Sequence, residues 1–167
     1  MQESFEEYVT ARGQSLLRFA YLLSADHFLA QDLVQEVLAR MHSRWRRLER
    51  DGNPDAYVRR AIAREFLSWR RRRSNGERPT EVVPERPDRP GEAADRLGDR
   101  DEVWRWLSQL PRTQRAVLVL RFYEDMSDAR IAEVIGCAES TVRVHATRGL
   151  ARLRAVLPNQ GHIGVGL

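Results

Sequence analysis

Glu139, Ser140, Arg143, Val144, Thr147 and Arg148 recur at three- and four-residue intervals, so on a helix they form one strip. Arginine brings a permanent charge and a flat two-pronged donor, and such a strip can grip phosphates or read base edges. Arg143 and Arg148 would each reach a guanine edge or a phosphate, and Arg152 and Arg154 follow where the helix would leave a groove. The plainer reading is a solvated helix face. Near the other end, Asp32, Gln35 and Glu36 place two carboxylates and an amide on one helical face. That set would complement a basic helical partner, although taken alone it is also an ordinary acidic surface.

Other chemistry is poorly provided for. No Gly-rich phosphate loop, nucleophile elbow or paired His and carboxylate cluster occurs, so the chain does not read as an enzyme. The terminal Gly161-His162-Ile163-Gly164-Val165-Gly166 lacks the flanking strand and helix of a dinucleotide site. Cys137 is alone, and His27, His42, His145 and His162 never stand at i, i+4 spacing, so no metal, cofactor or disulfide is expected. No apolar run approaches the ~18 residues of a membrane span. The acidic, periodic amino end does not resemble a secretory signal, which points to the cytoplasm.

All 28 basic residues are Arg, and their placement is uneven. Residues 1–73 hold 14 Arg against 10 acids and residues 104–167 hold 9 against 5, while residues 74–103 hold 5 against 9. The acidic stretch carries Pro79, Pro84, Pro87 and Pro90 and few large apolar groups, the composition of a linker. Two small helical lobes on a tether are expected.

In the first lobe, Ser4 and Glu7 form a capping box ahead of Phe5, Val9, Leu16 and Leu23. After Ser24-Ala25-Asp26, the period of Leu29, Leu33, Val37, Met41, Trp45 and Leu48 predicts one long helix to about Glu49. Asn53 as cap and Pro54 at the first position begin a third, with Val58, Ile62, Phe66 and Trp69 on one face. In the second lobe, Leu110-Pro111 separates two helices. Ser127 caps a short helix that stops at Gly136, and a longer helix follows from Ala138-Glu139-Ser140 with Val142, Ala146, Leu150 and Leu153 inward. Short helix, Gly turn and longer helix make a helix-turn-helix.

Asp32-Leu33-Val34-Gln35-Glu36, then Pro54-Asp55-Ala56-Tyr57-Val58-Arg59-Arg60 leading to Ser68-Trp69-Arg70-Arg71-Arg72-Arg73, resembles the second region of bacterial RNA polymerase sigma subunits. Leu110 to Leu118, Ile131 to Cys137, and Thr141-Val142-Arg143 through Arg148 to Arg154 resemble the fourth. Two blocks joined directly by a linker are similar to the small extracytoplasmic-function group, of the actinobacterial SigE type. The resemblance implies an all-α chain: region 2 over 1–73, a linker over 74–100, a winged-helix-like four-helix helix-turn-helix domain over 101–157 and a tail over 158–167.

The function implied is a sigma subunit that directs core polymerase to promoters. Lobe one would bind the clamp through Asp32, Gln35 and Glu36 and open the minus-ten DNA, and lobe two would bind the flap and read the minus-thirty-five duplex. Promoter DNA and core polymerase are the implied partners, and an anti-sigma protein is one the resemblance allows. Melted DNA needs aromatic platforms and cations. Trp45, Tyr57, Phe66 and Trp69 are interleaved with Arg44, Arg46, Arg47, Arg59 and Arg60, although Phe66 and Trp69 read better as core. Arg50, Asn53, Tyr57, Arg60 and Arg64 are the minus-ten candidates. The chain departs from many relatives in carrying Arg64-Glu65 where they have Asn. A rival from another class is a stand-alone helix-turn-helix regulator on a symmetric operator, with the first lobe for dimerisation or ligand sensing.

Overall fold

The computed structural model describes residues 2–74 and 100–157 and, among them, contains helices and no strand. The expected linker, apart from Ser74 and Arg100 at its two ends, which are helical, and the expected tail lie outside the described residues. Helix α1 (Phe5–Ser24) starts on the capping box, with the Glu7 amide donating to Ser4 Oγ at 3.1 Å and the Ser4 amide to Glu7 Oε2 at 2.8 Å. Ala25 closes it in the left-handed conformation, and Asp26 accepts from two amides to begin α2 (His27–His42).

The long second helix expected from sequence is broken. α2 ends at His42, a turn at Ser43-Arg44 intervenes, and a short α3 covers Trp45–Arg50. The cause is tertiary. Trp45 turns inward, its indole N–H donates to the Glu3 carbonyl at 2.9 Å, and its ring packs on Phe5 and Tyr8. Asn53 Oδ1 caps α4 (Pro54–Ser74) by accepting from the Ala56 amide at 3.1 Å. The apolar faces of α1, α2 and α4 meet in a core containing Leu16, Phe19, Leu23, Leu33, Val37, Val58, Ile62 and Phe66, all buried. Each such side chain contributes roughly 1.5–3 kcal/mol.

Helix α5 (Arg100–Ser108) leads through Pro111 into α6 (Arg112–Leu118), which widens into a π turn over Val119–Tyr123. Ser127 caps α7 (Asp128–Ile135), and Gly136 ends it at φ 77°, where a Cβ would be strained. α8 (Glu139–Val156) then crosses α6 so closely that a Cβ on Gly149 would stand 3.0 Å from Leu118 Cδ1.

The two lobes are packed on one another rather than merely tethered, and their buried residues form one cluster. Arg115, 5% exposed, sends its Nε–H to the Leu23 carbonyl at 2.8 Å, satisfying a carbonyl that the end of α1 leaves open. The π turn delivers Tyr123, stacked with Phe19, and Glu124, which meets Arg59. Trp104 stacks on Tyr21, and the Arg112 guanidinium lies over Phe66. No described helix is long and apolar enough to cross a membrane.

Candidate nucleic-acid and polymerase interfaces

The strip on α8 forms as its spacing requires. Val142, Ala146 and Gly149 are buried against the rest of lobe two, and Glu139, Ser140, Arg143, Val144, Thr147 and Arg148 are exposed on the opposite side. Glu139 and Arg143 approach to 3.8 Å with both side chains more than half exposed, a contact too long and too wet to immobilise the guanidinium. Ala138 offers no side-chain cap, so the first amides of α8 have no side-chain partner there. His145 is half-buried with Nδ1 sealed and unpartnered. Cys137 is half-buried, and burial pushes its thiol pKa up, away from a reactive thiolate.

On α2, Asp32, Gln35 and Glu36 are all exposed on one face, while Leu33, Val34 and Val37 fill the core from the other. Phe28, 73% exposed one turn before Asp32, lies on the same side. The packing of lobe two leaves this face open.

The third set divides. Tyr57, Arg60 and Arg64 come together at a cavity of about 570 Å³ between the end of α2 and the outer side of α4, which Arg40, Arg44 and Glu65 also line. Asn53 is not part of it, since its side-chain oxygen is committed to capping α4. Arg50 lies in α3 and sends Nε–H to the Arg46 carbonyl, away from the cavity. Trp45 and Arg59 do not line the cavity: Trp45 is buried, Arg59 is consumed by the contact between lobes, and Tyr57 is the aromatic side chain that lines it among the described residues.

Arg59 donates Nε–H to Asp55 Oδ2 at 2.9 Å, Nη1–H to Glu124 Oε1 at 2.7 Å and Nη2–H to Ser15 Oγ at 2.7 Å, and stands 5.6 Å from the Phe19 ring centre. Burial works against its charge. The hydrogen bonds and charges of Asp55 and Glu124 more than offset that and hold its pKa above the usual value. Asp55 also accepts from the Tyr8 hydroxyl at 2.9 Å.

Sequence reasoning passed over Arg40, Glu65 and Ser68 as cavity residues. Arg40-Arg44 and Arg60-Arg64 are each i, i+4 pairs, a signal that becomes readable only once α2 and α4 are known to pack together. Among the described residues no group of three His, Cys, Asp or Glu could hold a metal.

Residues 8–76 match the Sigma-70 region 2 family and residues 100–153 the Sigma-70, region 4 family. The chain is 41% identical over 153 residues to an RNA polymerase sigma-E factor of Streptomyces coelicolor, covering 92% of this chain and 85% of the relative. It is 37% identical over 156 residues to the sigma-E factor of Streptomyces avermitilis, covering 93% and 86%. Among solved structures, the sigma factor RpoE of Bartonella quintana, in complex with the anti-sigma factor NepR, superposes with a TM-score of 0.62 at 26% identity, covering 90% of this chain and 94% of that one. Two open faces of opposite charge, a basic cavity between them in the sequence and these likenesses agree: the chain belongs to the extracytoplasmic-function group of the sigma-70 family of RNA polymerase sigma factors.

Proposed function

We propose that the chain acts in the cytoplasm as a sigma subunit whose three faces divide the work. The region 2 unit, residues 1–73, binds the polymerase clamp through Asp32, Gln35 and Glu36 and holds melted minus-ten DNA at Tyr57, Arg60 and Arg64. The region 4 unit, residues 101–157, binds the flap and lays α8 in the major groove of the minus-thirty-five duplex, with Arg143 and Arg148 as principal contacts. Chemistry stays with the polymerase. The observation that carries this reading is that the acidic face of α2 and the arginine strip of α8 are both solvent-exposed although the lobes are packed together. Each partner can therefore engage without unfolding a lobe.

In vitro transcription with purified core on a genomic library tests it. Core plus this chain should yield discrete start sites preceded by one shared asymmetric two-part element. Binding to a palindromic site without core would favour the stand-alone regulator instead. Co-purification from its own cells tests for an anti-sigma partner of the kind bound to the Bartonella protein.

A further inference from the structure

The outer face of α2 carries more than charge. Phe28, Asp32, Gln35 and Ala39 follow one another at intervals of four, three and four residues, and all four are exposed. On a helix that spacing gives one straight strip, about 16 Å long, with the period of a coiled-coil seam. Glu36 flanks it. The next seam position, His42, is taken by Phe5, with ring centres 4.9 Å apart, and the strip ends there. Ala30, Leu33, Val34, Val37 and Met41 on the inward side are buried, so the strip is not needed to hold α2 on its own lobe.

Phe28 is the most exposed large apolar side chain among the described residues, at 73%, and it takes no part in the core. Asp26 Oδ1 accepts from its amide at 2.9 Å, which fixes the backbone from which the ring projects. Single exposed apolar residues are ordinary on protein surfaces. What sets Phe28 apart is its place at the end of the strip, with Ala39 at the other end leaving the helix backbone nearly bare. A large group and a gap at seam spacing make the relief against which a second helix packs, its groove receiving the ring and its own side chain filling the space over Ala39, at an interaxial distance of about 8–10 Å. Polar seam residues fix register, and the carboxylates of Asp32 and Glu36 call for a basic partner.

We propose that Phe28 is the apolar anchor of this face: its ring seats between side chains of a basic helix of core polymerase that lies along α2 in the register of Phe28, Asp32, Gln35 and Ala39. This rests on the reading that α2 docks on core, and adds to it a division of labour. Long-range charge attraction acts mainly on the rate of encounter, whereas a desolvated aromatic anchor acts on the lifetime of the complex. Asp32 and Glu36 draw the helices together, and Phe28 with the gap at Ala39 holds them.

The test measures association and dissociation of the full chain on immobilised core polymerase. Phe28→Ser should raise the dissociation rate on the order of tenfold and leave association within about twofold at every salt concentration. Phe28→Leu, which keeps an apolar group, should stay within about threefold of wild type. Ala39→Trp should also speed dissociation about tenfold, because the indole stands where the second helix must approach. All three substitutions fall on exposed side chains, so circular dichroism and thermal unfolding should match wild type. Dissociation of Phe28→Ser within about twofold of wild type would overturn the proposal, and so would a loss confined to association. Wild-type dissociation of Ala39→Trp would overturn the helix register. Unchanged core kinetics in Phe28→Ser, together with loss of self-association or of a co-purifying protein, would give the face to that occupant and equally overturn it. Asp32→Arg with Glu36→Arg, measured alongside, separates the two levels. If that pair leaves core binding unchanged, the docking of α2 itself fails; if it weakens binding while Phe28→Ser does not, the anchor alone fails.

Discussion

Arg59 and Arg143 each stand four residues after a carboxylate, Asp55 and Glu139, yet the two pairs have opposite fates. The Arg59 side chain is 12% exposed, 2.9 Å from Asp55, and two more of its N–H groups are taken by Glu124 and Ser15. The Arg143 side chain is 57% exposed and 3.8 Å from Glu139. Identical spacing therefore says nothing about employment. Partners from outside the helix decide whether a guanidinium is fixed into structure or left available to DNA. The first pair is sealed by lobe two, and the second faces solvent, where an exposed ion pair contributes at most about 1 kcal/mol and exchanges readily for a phosphate or a guanine edge.

The largest effect should come from breaking the sealed pair. Arg59→Ala leaves Glu124 and Asp55 without their cation at the contact between lobes, and should cost about 3–5 kcal/mol in denaturant unfolding. Arg143→Ala should move the same midpoint by no more than about 0.5 kcal/mol. Equal effects of the two substitutions would erase the distinction drawn between them.

On promoter DNA the order should invert. Arg143→Ala and Arg148→Ala should each weaken holoenzyme binding to the upstream element. An arginine on guanine loses about 1–3 kcal/mol of discrimination against a mismatched element, while one on phosphate weakens all sequences alike and lowers the salt slope by about one. Affinity measured on matched and mismatched elements across salt assigns each residue. If both retain full affinity and selectivity, α8 is not the reading element.

A smaller effect is expected at the hydroxyl that donates to the sealed pair's carboxylate. Burial, and then the charge and hydrogen bond of Asp55, raise the Tyr8 hydroxyl pKa above its ordinary 10.0. A proton held more tightly in the folded state gives a contribution fully present below the unfolded pKa and lost as pH rises beyond it. Unfolding free energy should therefore be flat in this respect up to about pH 10 and fall above it. Tyr8→Phe should cost about 1.5 kcal/mol at neutral pH and remove that part of the alkaline decline. An unchanged decline in the variant would show that Tyr8 is not its source.

What could be read from sequence is what is local. The Ser4–Glu7 box, the Asn53 cap, the Ser127 cap and the Gly136 stop each involve neighbours in the chain, and all form as their chemistry requires. The strip on α8 and the face on α2 follow from helical period alone, and both are exposed as that period implies. The break after His42 was hidden because Trp45 and Leu48 continue the apolar period, and only the bond from Trp45 to Glu3, far off in sequence, shows why the chain turns. The contact between lobes was equally hidden. Arg59 meets Glu124 across 65 residues and Arg115 meets Leu23 across 92, and no pattern within one element announces either. Composition suggested a tether and could say nothing of how the two lobes pack.

The proposed docking of the acidic face of α2 on core polymerase can be measured directly. Its most direct measurement is the affinity of purified core for the wild-type chain and for a double variant, Asp32→Arg with Glu36→Arg, whose helicity is checked by circular dichroism. Both side chains are exposed, so the double reversal should leave the fold intact. It should weaken holoenzyme formation by more than tenfold at low salt, with the difference narrowing as salt screens the charges. A folded double variant that binds core with wild-type affinity would contradict the account.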